Sequence, residues 1–424
     1  MVCFSVAKSP PELVAPSEPT PGGTLPLSFM DRNPALRVLI CSAFVYREGG
    51  KEAATAIREA LSKALVPYYP VAGRITDTAE DGEPEIACTG DGAWFVEATA
   101  NCSLADVSYL QQPLENVAKE DLLPFPPPKV DEKDLILLLQ VTKFKCGGFV
   151  IGLRSSHAVF DGVGQGEFLK AVGELARGLP QPSVAPVWGR DAFHNPPKFP
   201  RGPLPAFTPF NFEISVLDLT SDFINQVKNQ YLKETGQRCS SFDVVSAKVW
   251  QCRTRVVGLT SPDDRVHLGF AVNTRHLLQD VLPAEGGYYG NCVYNMAVSA
   301  AGDVVACAPL VEVVGMIREA KRRVPSEFSK WMTDGAAVAN ALPLGCGTMT
   351  VLDWSRVGFF EVDYGWGQPM HGAPLVDTNF IAWCILLKPL PPNQGLRLLM
   401  RCVEKQHLAY FSSQMMSSAL SRAN

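Results

Sequence analysis

Ser155 to Gly164 read SSHAVFDGVG, and the chain's fold and chemistry can be read outward from them. They follow Gly148 to Leu153, GFVIGL, an apolar run with the length and β-branched content of a buried strand. A strand running directly into His157 sets an imidazole at the end of a rigid element, where a reacting group can be held in place. Asp161 lies four residues on, and Gly162 and Gly164 permit a sharp turn or a close approach just beyond it. The chain has six histidines, so a His-x-x-x-Asp spacing arises by chance in roughly one such chain in three. A second signal is therefore needed. It comes from Asp363-Tyr364-Gly365-Trp366-Gly367, where two glycines around an aromatic predict a tight turn with a packed indole.

A chain of 424 residues suits two domains of about 200 residues each. Its 46% hydrophobic and 19% charged content is that of a globular enzyme. A net charge of -5 implies no broad basic face, which argues against nucleic acid as a partner. Twelve scattered cysteines include no Cys-x-x-Cys and no zinc-spaced cluster, so free thiols and no metal are expected. The first residues, MVCFSV, carry no basic stretch ahead of an apolar core. The longest apolar runs, such as Leu135-Ile136-Leu137-Leu138-Leu139, fall far short of a membrane span. A cytoplasmic protein without a membrane span is the expectation.

Along the chain, periodicity predicts a strand over 36–45 and a helix over 51–65 that stops at Val66-Pro67. Strands are predicted at 85–88 and 94–98, then a hairpin of 135–144 with 148–153, then a helix over 166–177. Residues 1–179 are thus expected as one lobe. A proline-rich crossover over 180–212 leads to a second lobe, 213–424. There the pattern predicts a helix over 221–233 opened by a Ser cap, and another capped by Ser240-Ser241-Phe242-Asp243. Strands at 266–272 and 292–299 and a helix over 310–323 follow.

His157-x-x-x-Asp161-Gly162 together with Asp363-Tyr364-Gly365-Trp366-Gly367 resembles the signature pair of the plant BAHD acyltransferases, which use acyl-CoA thioesters. Tyr364 stands where the family usually has Phe. The resemblance runs from Leu27 to about Tyr410, and takes in Tyr69-Pro70-Val71-Ala72-Gly73-Arg74, Asn273-Thr274-Arg275 and Gly287-Tyr288-Tyr289-Gly290-Asn291-Cys292. The wording is most similar to the branch with alcohol acyltransferases and p-coumaroyl-CoA monolignol transferases. It implies a two-lobed α/β fold of the chloramphenicol-acetyltransferase type, each lobe a mixed sheet flanked by helices. A strand just after Gly367 would cross back to the first lobe, and a tunnel between the lobes would hold His157 midway. The reaction implied is direct transfer from acyl-CoA, a co-substrate, to an acceptor, with no cofactor, no metal and no acyl-enzyme. The family expectation is a monomer.

Such a transfer needs a base for the acceptor, a donor for the oxyanion and a site for the CoA tail. His157 is the candidate base, because imidazole titrates near neutrality and a positioned base supplies about 10²–10⁴-fold. The resemblance turns Asp161 away from the reacting atoms to pair with an arginine, and Arg275 is the local candidate. Asp363, with Gly365, Trp366 and Gly367, is implied to organise structure, a second proton acceptor being the alternative. Trp354 offers an indole N–H for the oxyanion, although core packing would also account for it. Relatives that acylate shikimate have Thr two residues earlier; this chain has Leu352.

For the CoA phosphates the candidates are Arg238, Ser240 and Ser241 before a helix and Lys248 and Arg253 along it, with Lys321-Arg322-Arg323 nearby. For any one of these, a solvated helix face is the bland reading. Leu352 and Ala339 are candidates for the acceptor pocket. From Trp331 to Ser355 there is no Lys or Arg, whereas shikimate-using relatives hold the acceptor carboxylate with an Arg from this region. The expectation is therefore a hydroxycinnamoyl-CoA, such as p-coumaroyl-CoA, and a neutral alcohol such as a monolignol. Alternatives are a volatile-ester alcohol acyltransferase using acetyl- or benzoyl-CoA, or acylation of a polyamine, which Asp334 and Asp353 keep open. A catalytically silent binding scaffold is the reading from outside enzymology.

Overall fold

The computed structural model describes residues 4–79, 82–193, 209–282, 286–334 and 342–417. The chain forms two compact units that interleave in sequence. The first comprises Met1–Arg201, Arg275–Cys292 and Arg356–Val376, and the second comprises Gly202–Thr274, Val293–Ser355 and Asp377–Asn424. The division therefore departs from contiguous halves meeting at 180–212, because two later segments take their main-chain pairings within the first unit. Pro186–Val187 lies parallel to Gly287–Tyr288, and His371–Pro374 pairs antiparallel with Leu39–Tyr46. That last strand follows the Asp363–Gly367 turn directly. Of the expected crossover, residues 194–208 lie outside the described residues.

At the centre of the first unit is Phe149–Ser156, whose eight residues are all buried. Burial on both faces is what a continuous apolar run, rather than an alternating one, demands. It sits between Leu137–Lys143 and Leu39–Tyr46, antiparallel to both, and Ala93–Ala100 lies parallel beyond Leu137–Lys143. The expected hairpin is thus present, closing with Lys143 opposite Phe149. The helix Ala53–Ala64 buries Ala53, Ala54, Ile57, Ala60, Leu61 and Ala64, one apolar stripe at helical spacing. Full burial of Ile57 and Leu61 stabilises by roughly 1.5–3 kcal/mol each. Near the N-terminus, Val6–Lys8 and Glu12–Val14 add antiparallel to Ala93–Ala100.

The helix after His157 spans Gly162–Ala176, beginning four residues before the periodicity predicts. The early start is hidden in the sequence because Gly162, Gly164 and Gly166 are poor helix formers. At Gly164 and Gly166 their use is close approach, not a sharp turn. A Cβ on Gly164 would collide with the Tyr289 carbonyl oxygen, and one on Gly166 with that of Val357. In an open helix Gly→Ala stabilises by about 0.4–1 kcal/mol. Here Gly166→Ala is expected to reverse that sign and destabilise by about 1–3 kcal/mol, read as a lower thermal midpoint.

The second unit is built on a mixed six-stranded sheet in the order Phe212–Thr220, Gly395–Glu404, Ala382–Leu387, Thr348–Asp353, Arg265–Asn273, Val293–Ala301. The central pairings, Ala382–Leu387 with Thr348–Asp353 and Thr348–Asp353 with Arg265–Asn273, are parallel, and the outer ones antiparallel. Its helices include Ser221–Thr235, Ser241–Val256 and Leu310–Asp334. The first is capped by Thr220, whose hydroxyl accepts from the Phe223 N–H, and not by Ser221. The second opens with a capping box between Ser240 and Asp243. The third continues well past the expected end and contains Pro325. No helix of the described residues is long and apolar enough to cross a membrane.

Candidate active site

The ladder between Leu39 and Ser156 ends one residue before His157. The His157 N–H prolongs it, donating to the Val38 carbonyl at 3.0 Å. Val159 and Phe160 then donate their N–H groups to the Ser156 carbonyl at 3.1 and 3.2 Å, which turns the chain towards the helix. The His157 carbonyl accepts from the Asn291 side-chain amide at 2.7 Å. The half-buried imidazole has its Nδ1 enclosed with no hydrogen-bond partner.

Asp161 is not that partner. Its carboxylate is buried, and Arg275 grips it with two bonds of 2.8 Å, one from each terminal nitrogen. The Gly164 N–H donates to Oδ1 at 2.8 Å as the N-cap bond of the following helix, and the Cys292 N–H donates to Oδ2 at 3.0 Å. Four donors thus saturate the carboxylate. Arg275 is held from behind by the carbonyls of Tyr288 and Gly290. Burial alone would lower the pKa of this guanidinium; the Asp161 carboxylate outweighs that and holds it above its ordinary value. A hydrolase-like dyad, in which Asp161 would orient the ring of His157, has no place in this geometry.

Asp363 makes a turn. Its Oδ1 accepts from the N–H groups of Gly365 at 2.7 Å and Gly367 at 2.9 Å. Both glycines have positive φ, +109° and +87°, which favours glycine over residues with a Cβ. Trp366 meets Phe149 edge to face at 6.1 Å, and its indole leaves no room for a Cβ on Gly49. Tyr364 is buried against Tyr46, ring centroids 5.5 Å apart, and burial pushes its hydroxyl pKa up. The motif therefore packs under the strand that carries His157.

The expected CoA cations divide. Arg253 is fully buried, its Nε donating to the Cys402 carbonyl and a terminal nitrogen to that of Cys346, and burial lowers its pKa. Lys248 is also buried, with its ammonium on the Ser417 carbonyl, and burial lowers its pKa too. Neither offers a free cation to a phosphate, which corrects their assignment. Their charge along a helix suggested either a phosphate host or a solvated face, but both faces of Ser241–Val256 are covered. Ser240 spends its hydroxyl on the capping box, and Ser241 accepts from the Lys228 ammonium at 3.1 Å. Arg238 is exposed, and Lys321 pairs with Asp243 at 2.5 Å.

Leu352 is half-buried on the strand Thr348–Asp353, and Trp354 follows it, its main-chain N–H donating to the Leu386 carbonyl. Ala339 lies outside the described residues. Sequence reasoning assigned nothing to Asp31, Arg190 or Asn291, yet Asn291 bonds the His157 carbonyl, Arg190 bonds that of Val159, and Asp31 holds both. Asp31 and Arg190 form an ion pair of 2.9 Å with no exposed side-chain surface on either partner. The only sequence signal was that Asp31 and Asn291 fall in stretches shared with the resembling family.

A family model described as "Transferase family" matches residues 4–417. The chain is 45% identical to acyl transferase 4 of Oryza sativa subsp. japonica, over 97% of this chain and 98% of that protein. It is 42% identical to a myricetin 3-O-glucosyl 1,2-rhamnoside 6'-O-caffeoyltransferase of Crocosmia x crocosmiiflora, over 97% of this chain and 99% of the other. Among solved structures, vinorine synthase superposes with a TM-score of 0.79 over 99% of both chains at 22% identity, a likeness of fold.

Proposed function

We propose, from the premise that this chain belongs to the BAHD family of acyl-CoA-dependent acyltransferases, that it carries a hydroxycinnamoyl group from CoA to the hydroxyl of a neutral alcohol. Its acyltransferase class follows from membership; the substrates and the base go beyond it. The observation that carries the assignment of the base is the commitment of Asp161. With that carboxylate saturated by Arg275 and two backbone N–H groups, proton transfer falls to the His157 imidazole. The imidazole takes the alcohol proton as oxygen attacks the thioester carbonyl. The C–S bond then breaks, and the proton passes to the departing CoA sulfur.

Two features support the substrates. The Crocosmia relative bears the name of a caffeoyl transferase, and caffeoyl is a hydroxycinnamoyl group delivered to oxygen. The absence of Lys and Arg between Trp331 and Ser355 favours an acceptor without a carboxylate. Within that class p-coumaroyl-CoA and a monolignol are the pair to test first. Purified protein would receive p-coumaroyl-, feruloyl-, benzoyl- and acetyl-CoA together, with coniferyl alcohol, shikimate, spermidine and hexanol as acceptors. Mass spectrometry is expected to find p-coumaroyl and feruloyl esters of coniferyl alcohol as the main products. Acetyl or benzoyl hexyl esters would overturn the donor and acceptor assigned here. A shikimate ester would defeat the argument from missing cations, and a spermidine amide the choice of an alcohol.

A further inference from the structure

The connection from His157 to Asp161 is held at every second residue by a side chain or backbone group distant in sequence. Asn291 takes the His157 carbonyl, and Arg190 takes that of Val159 at 2.6 Å. Arg275 and the Cys292 N–H take the Asp161 carboxylate. Behind the first two stands one buried carboxylate, Asp31. Its Oδ1 accepts from both the main-chain N–H of Asn291, at 2.9 Å, and its side-chain amide, at 2.8 Å. Its Oδ2 accepts from Arg190 Nε at 2.9 Å and the Ser28 hydroxyl at 2.7 Å. The guanidinium of Arg190 lies 3.6 Å above the Trp188 ring.

The amide of Asn291 has two hydrogens, and this arrangement uses both: one on Asp31, the other on the His157 carbonyl. An anionic acceptor on one N–H fixes the amide plane and polarises the other N–H towards its carbonyl. The peptide plane on the N-terminal side of His157 is already fixed through Val38. Beyond the strand, the plane on the C-terminal side would otherwise have no ladder to hold it. The two planes together set the Cα–Cβ direction, and with it where the imidazole points.

We propose that Asn291, anchored by Asp31, is a positioning residue for His157. This rests on the reading of His157 as the general base. Displacing a base by about 1 Å lowers turnover by up to about 10²-fold. Asn291→Ala is therefore expected to lower kcat by about 10–10²-fold, with KM for either substrate within about twofold of wild type. The loss should shrink as the acceptor hydroxyl becomes more acidic, from benzyl alcohol to fluorinated alcohols, because such acceptors need the base less. A structural lesion that merely inactivates a fraction of the molecules lowers kcat equally for every acceptor. Asn291→Ser, smaller but still polar, is the second variant should the alanine protein fail to fold. Ile224→Val, in the core of the helix Ser221–Thr235 of the other unit, controls for stability.

A readout that needs no turnover keeps this separate from the functional reading. The imidazole resonance of His157, identified among six histidines by its loss in His157→Ala, is expected to shift or broaden in the Asn291 variants and not in Ile224→Val. An unchanged resonance with unchanged kcat would overturn the proposal, as would a kcat loss identical for all acceptors. A wild-type protein without transferase activity would remove the functional reading, while the resonance would still decide whether Asn291 holds the ring.

Discussion

His157→Ala protein is expected to melt with the wild type while losing turnover by at least about 10²–10⁴-fold. The two halves of that result have separate physical causes. Stability is spared because the imidazole makes no hydrogen bond through its enclosed Nδ1. The bonds that hold the residue in place run through its main chain, from its N–H to Val38 and to its carbonyl from Asn291, and alanine keeps both. Truncation leaves a small void at the end of a strand. Activity is lost because the neighbouring carboxylate has no lone pair left to act instead. Replacing His157 cannot recruit Asp161, whose two oxygens are occupied by Arg275, Gly164 and Cys292. Steady-state kinetics and a thermal melt on one preparation check both halves. Retention of more than about a tenth of wild-type kcat would mean that another group accepts the proton.

Asp161→Ala is expected to behave in the opposite sense, with a large loss of stability accompanying any loss of activity. Removing one partner of a buried ion pair typically destabilises by about 3–5 kcal/mol, because the charge left behind has neither water nor counterion. The side chain of Arg275 retains 19% exposure, so the lower end of that range is expected. The variant also strips the helix Gly162–Ala176 of its N-cap, worth about 1 kcal/mol, and leaves the Cys292 N–H without its acceptor. At about 2–4 °C per kcal/mol for units of this size, the combined loss of about 4 kcal/mol should lower the thermal midpoint by roughly 8–16 °C. The double variant Asp161→Ala/Arg275→Ala should be less destabilised than the sum of the singles, since it removes the stranded cation as well. Equal midpoints for Asp161→Ala and wild type would rule out a structural carboxylate.

These expectations draw on two kinds of information. Phe149–Ser156 could be recognised as a buried strand because apolar content and β-branching are local properties, and His157 was its endpoint in sequence before it was one in space. The helix Ala53–Ala64, the capping box at Ser240 and the turn at Gly365 and Gly367 were legible for the same reason: each is fixed by interactions within a few residues. The start of the helix at Gly162 was not, because Gly164 and Gly166 answer to the carbonyls of Tyr289 and Val357, more than a hundred residues away. Lys248 and Arg253 show the same limit from the other side. Their charges suggested solvent and phosphate, and only packing around the whole circumference of Ser241–Val256 determines that they are buried against carbonyls.

By itself, then, the sequence determined the strand-borne histidine and the turn motif, since periodicity, caps and glycines act over short range, while its resemblance to a known family implied the class of fold. The tertiary structure alone decided which groups surround that histidine. Asp31 and Asn291 stand 260 residues apart, and one carboxylate oxygen of Asp31 accepts from both the main-chain N–H and the side-chain amide of Asn291. A buried carboxylate must find donors wherever the fold supplies them, and no local pattern records which residues those will be.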